Sequence, residues 1–267
     1  MTWLSACWGI MRRDAFVFVS YRTQLLTQVL GMLFQLTIFY FISHLLHVHA
    51  KSFRTSEDYF AYVVIGLSIS QVLILTLGLA PARVRQELVA GTMERLMVSS
   101  FGIDSGVISM LFFPVVMGLV MATIMLGLAA TIFGLHLVDT APLALPIALL
   151  GSIAFMPFAL GLVALVVAFK QIASGATFIT SGIGIVGGLY FPTQLLPAWL
   201  RWASQVQPFT PAVDLLRHLL VDTPLQHPAT TDLLKLIGFA VVLFPPSILA
   251  LRRSILFGQR RGTIFEY

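Results

Sequence analysis

The chain has 267 residues, of which 58% are hydrophobic and only 10% charged, with a mean hydropathy of +0.94. A soluble domain carries about 25% charged residues, and one core of this length cannot hide so much apolar surface from water. A soluble enzyme, a disordered tail and a nucleic-acid module are therefore excluded, despite a pI near 9.7. The composition is that of an all-α polytopic membrane protein.

The intervals between charges locate the crossings. Arg22 to Lys51 encloses 28 uncharged residues, Asp58 to Arg83 24, Asp104 to Asp139 34, Asp139 to Lys170 30, Lys170 to Arg201 30 and Lys235 to Arg252 16. A helix needs about 20 mostly apolar residues to cross. The expected spans are 24–46, 60–82, 107–134, 142–169, 172–191 and 233–251, within a single transmembrane domain over 1–267. Six spans put both termini on one side. With the N-terminus cytoplasmic, the inside holds 11 Lys and Arg and the outside 5, namely Lys51, Arg54, Arg201, Arg217 and Lys235, the sense of the positive-inside rule. The net charge of +5 is thus a topology signal. Cys7, the one cysteine, precludes an intrachain disulfide.

Before the first span, residues 1–22 place Trp3, Cys7, Trp8, Met11, Ala15, Phe18 and Val19 at helical spacing, with Arg12 and Arg13 on other faces. That pattern describes an amphipathic helix in the headgroup plane; the alternative is a cytoplasmic extension of the first span. Inside that span Gln24, Gln28, Gly31 and Gln35 share one stripe. Amides are costly against lipid, so the stripe lines a translocation path or hydrogen-bonds between helices. His44, His47 and His49 follow, but no acid or cysteine completes a metal-ligand set, so no metal is expected.

Segment 83–104 is the most polar stretch, with Arg83, Arg85, Glu87, Glu94, Arg95 and Asp104 in balance. Leu88, Met93, Leu96 and Met97 give it an apolar face, and Gly91-Thr92 interrupts it. This is either a compact helix for docking a soluble partner or an ordinary solvated loop. The fifth span carries Ser174, Ser181, Gly184 and Gly188, a small-residue pattern for close helix packing within a bundle or between two copies. Beyond it, residues 192–230 contain two short amphipathic segments broken by Pro192, Pro197, Pro208 and Pro211. Thr210 is the expected N-cap of the second, with Pro211 at its first helical position and Asp214 paired with Arg217. Too short to cross, both read as re-entrant or interfacial elements of the outer face.

Two runs resemble a known family. Gln86–Ile103, QELVAGTMERLMVSSFGI, is similar to the cytoplasmic coupling segment of ABC transporter permeases of the ABC-2 (type-2 exporter) family, among them the drug, lipid and polysaccharide export permeases. Gly187–Arg217, GGLYFPTQLLPAWLRWASQVQPFTPAVDLLR, resembles that family's outer re-entrant segment. One departure is Ser99-Ser100, where many members have Ser-Pro or Ala-Pro. The resemblance implies a multi-pass protein of the cytoplasmic (inner) membrane, both termini cytoplasmic, pairing with a second copy and docking two soluble ABC ATPase subunits. The partner would bind ATP and Mg, and no cofactor is expected here. The sequence itself has no G-x-x-x-x-G-K-[ST] phosphate loop. By the same resemblance Glu87, Gly91, Thr92, Glu94 and Arg95 would sit at the ATPase interface. Gly188, Phe191, Pro192 and Pro197, with Gly184 of the small-residue face, would form an outer gate or dimer contact. The implied activity is export of a hydrophobic or lipid-linked substrate. An ion-coupled secondary transporter is the alternative, weakened because no Asp or Glu lies inside an expected span. An intramembrane enzyme has only the histidine cluster to draw on.

Overall fold

The computed structural model describes residues 3–45, 56–92, 102–169 and 173–260. Among them the chain is helical, with no strand. Helix α1 (Trp3–Ser20) leads through Tyr21 into α2 (Arg22–Leu45). Helix α3 (Ser56–Ile74) passes through a π-helical turn, Leu75–Leu79, into α4 (Ala80–Val89) without a break. The π turn has a local cause: Pro81 has no N–H to donate and its ring would strike the carbonyl of Leu77, so the ladder widens just ahead of it.

Helix α5 (Ile103–Phe133) ends at Gly134, whose φ of 69° lets the Leu135 N–H return to Ala129 O at 3.1 Å. Helix α6 (Ala144–Phe169) follows a short 3-10 turn, and α7 (Ala173–Val186) stops at Gly187-Gly188. Two short helices, α8 (Ala198–Gln205) and α9 (Phe209–Val221), precede the long α10 (Ala229–Arg260).

Five stretches among the described residues are long and apolar enough to cross a membrane: Arg22–Leu45, Glu57–Val89, Asp104–Phe133, Ala141–Phe169 and Ala229–Gly258. Helix α7 has 14 residues, about 21 Å at 1.5 Å per residue, less than a bilayer core of about 30 Å. Glu57–Val89 is the centre of the bundle: Val63, Val64, Ile65 and Leu67 are fully buried, packed among α5, α6 and α9. The faces of α2 and α10 remain open, with Leu26, Phe34, Val241 and Val242 exposed. The charged segment expected to begin at 83 is, as far as Val89, the end of this same central helix.

Candidate functional site

Two ends of the bundle carry polar structure. At the first, Arg13 on α1 reaches Glu87 on α4, Nη1 to Oε1 3.0 Å, and donates through Nε to Asp14 Oδ1 at 3.1 Å. Burial would lower the guanidinium's pKa, but Asp14 and Glu87 together raise it. Asp14 is 1% exposed, and its Oδ2 has no hydrogen-bond partner among the described residues. Glu87 also accepts from the Thr92 hydroxyl, and the Thr92 N–H returns to Glu87 O at 3.1 Å. Gly91 makes this hairpin with φ 67°, a value that side chains rarely adopt. At the same end Arg252 near the close of α10 donates to Asp104 at the start of α5, Nε to Oδ2 2.5 Å. Of the expected coupling residues, the structure brings together Glu87, Gly91 and Thr92 and adds Arg13; Glu94 and Arg95 lie outside the described residues.

The opposite end is built around Arg217, which the sequence places among the outer charges and pairs with Asp214. It is 2% exposed. Its Nε donates to Tyr62 O at 3.1 Å and its Nη2 to Gly188 O and Leu189 O at 2.9 and 3.3 Å. The guanidinium carbon lies 3.3 Å from the centroid of the Tyr62 ring, and the Tyr62 hydroxyl donates to Gly188 O at 3.1 Å. Asp214 Oδ1 stands 4.0 Å away. One side chain thus ties α9 to α3 and to the turn after α7. Burial pulls the Arg217 pKa down against the opposing pull of Tyr62 and Asp214, and burial pushes the Asp214 carboxyl up to about 6.

The turn that receives Arg217 is shaped by glycines. Gly188 has φ 83°, and a Cβ on Gly187 would lie 2.4 Å from Phe209 Cδ1. Gly188 therefore belongs to the turn beyond α7, and Gly184 faces Leu189 of its own chain, where a Cβ would come within 3.2 Å of Leu189 Cδ2. Phe191 is half-buried and Pro192 buried, while Pro197 is exposed at the start of α8. Helix α9 begins at Phe209 with Pro208 as its cap residue, two residues before the expected Thr210–Pro211 start. The Thr210 hydroxyl accepts instead from Gln207 Nε2 at 3.5 Å, and Gln207 also donates to Ile183 O. Helix α8 exposes Trp199 (71%) and Trp202 (65%), as a helix lying in a headgroup layer does.

The other expected features are dispersed. Gln24 is exposed and Gln28 and Gln35 are half-buried on α2, on the flank of the stripe that buries Met32 and Leu36. His44 Nδ1 lies 2.9 Å from Tyr40 O, while His47 and His49 lie outside the described residues. No group of three or more His, Cys, Asp or Glu among the described residues is placed to hold a metal. Sequence reasoning missed Asp14, a single acid in an otherwise basic helix, and Tyr62, which no local pattern distinguishes.

An all-helical bundle with several apolar crossings, an ion-paired end and a buried arginine at the other is an integral membrane protein of the multi-pass class. A family model described as ABC-2 type transporter matches residues 5–221, the greater part of the chain. The protein belongs to the ABC-2 type transporter family, whose members form the membrane component of ABC transporters. No curated protein matches the chain.

Proposed function

We propose that the chain is the permease subunit of an ATP-driven exporter, working as a pair with a second copy or a close counterpart. Each permease would dock one soluble ABC ATPase at the Arg13–Glu87 end. The ion pair of Arg13 with Glu87 carries this reading, because it joins the surface helix α1 to the tail of the central helix. A push delivered to the segment after Thr92 would then travel along α4 into α3, and through Tyr62 to Arg217 and the turn at Gly188. That path links an ATPase-facing end to a gate end through one continuous helix. ATP and Mg belong to the partner, which supplies the hydrolysis; this chain's residues transmit movement.

The topology that fits is both termini in the cytoplasm of a cell bounded by an inner membrane, with α8 and α9 outside; it needs a sixth passage besides the five long apolar stretches, which α7 and the turn after it would supply. The amide stripe of α2 (Gln24, Gln28, Gln35), flanking buried Met32, suits a path or a helix contact, since amides would not be left against lipid. Apolar crossings suit a hydrophobic or lipid-linked cargo. The deciding experiment is purification from native membranes in mild detergent, followed by identification of co-eluting subunits and an ATPase assay. A stoichiometric Walker-motif subunit whose activity falls in Glu94→Ala, with insertion intact, supports the reading. A chain that stays without any ATPase, after a search for detergent-stripped subunits, overturns it.

A further inference from the structure

We propose that the cavity enclosed by α3, α5, α6 and α9 is a binding site for one acyl chain of a bilayer phospholipid. The cavity has a volume of about 470 Å³, within the roughly 300–1,000 Å³ of small-molecule sites. Its inner wall is closed by buried Ala212 and Leu216 of α9 and Phe155 of α6. Its outer edge is formed by Thr123, Gly127 and Leu145, all exposed. Thr123 and Gly127 belong to one crossing helix and Leu145 to another, so the mouth opens sideways between two crossings, with exposed Leu137 and Pro142 of the intervening loop at its outer end.

The lining chemistry selects the occupant. Ser68, Thr123 and Ser152 are polar residues of the wall, and each hydroxyl already donates to its own helix, at 2.8, 2.9 and 2.6 Å. No charged side chain lines the space. Water needs two to four polar partners to occupy a cavity, and this wall offers no free donor. A second copy of the chain would have to insert a side chain past Leu145 into a recess. A lipid tail, already at the mouth, needs only apolar contact and no headgroup recognition. Because α9 supplies the inner wall, the bound tail braces the helix whose next residue, Arg217, holds the turn at Gly188. The site stands independently of the exporter reading.

The test uses the full chain in lipid nanodiscs containing a phospholipid with a diazirine at its tail, compared with one carrying the diazirine on its headgroup. The tail probe should label Ala212 or Leu216, which the fold shields from bulk lipid. A Cβ on Gly127 meets nothing within 4 Å, so Gly127→Trp should fill the space and lower that labelling by about fivefold, a change of roughly 1 kcal/mol in occupancy. Gly127→Ala should leave it unchanged, and labelling of the exposed α2 face at Leu30 and Phe34 should persist in both. Ala148→Phe closes the same space from α6 and keeps the test decisive if Gly127→Trp misfolds. Absence of α9 labelling while α2 is labelled, equal labelling by the headgroup probe, or labelling indifferent to both blocking variants would each overturn the assignment.

Discussion

The Arg217 guanidinium carbon lies over the Tyr62 ring, 3.3 Å from its centroid, while its nitrogens donate to the carbonyls of Tyr62, Gly188 and Leu189. A cation stacked on an aromatic face and satisfied by fixed carbonyls is held far more rigidly than a surface charge. The short helix α9 is thereby fastened to the central helix and to the glycine turn at once.

Arg217→Met should therefore destabilise the protein by about 3–5 kcal/mol, because it removes three donors and leaves Asp214 without its cation. Arg217→Lys should recover only part of this, since one ammonium cannot stack and serve carbonyls on two elements. Thermal unfolding in detergent, followed by tryptophan fluorescence, measures both. Equal stability of wild type and Arg217→Met would show that the contact contributes nothing.

Close helix approach makes two glycines sensitive. A Cβ on Gly118 would lie 2.7 Å from Val72 Cα, and one on Gly66 would lie 2.7 Å from Leu189 O. Gly118→Ala and Gly66→Ala should each cost about 1–3 kcal/mol by overpacking. Gly127→Ala, with open space around it, should be tolerated. The three unfolding midpoints, compared in one detergent, check the ordering.

Asp214 predicts a pH dependence. Burial raises its carboxyl to about 6 against the opposing pull of Arg217 and Lys235, with Asp232 adding to the rise. The folded state thus holds the proton more tightly than the unfolded chain. The resulting stability is fully present below about pH 4 and lost as pH rises through 6. Its size is on the order of 2–3 kcal/mol, and Asp214→Asn should flatten stability between pH 4 and 6. A slope unchanged in Asp214→Asn would assign the titration to another group.

At the other end, Arg13→Ala should cost more than Glu87→Gln, because it strands the buried Asp14 as well as Glu87. The Arg13–Glu87 pair is half open to solvent, so a double-mutant cycle should give a coupling of only about 0.5–1 kcal/mol. Measured coupling ATPase rates should fall further than stability does if this pair transmits the stroke.

The membrane class, the all-helical fold and the family were legible in the sequence because each is written in local quantities. The crossings follow from intervals without charge, and the two quoted motifs are contiguous. Helix ends were less legible. The π turn carries α3 into α4 past the expected end at residue 82 because the ladder adapts to Pro81, and α9 starts at Phe209 because Gln207, held on Ile183, engages the Thr210 hydroxyl that would have capped it. The positive-inside count treats every Arg alike. Only tertiary packing separates exposed Arg252 on its Asp104 from Arg217, whose partners Tyr62 and Gly188 stand 155 and 29 residues away. Charge spacing states where a chain can enter the bilayer; which charges are then taken out of water is decided by long-range contacts that no local window contains.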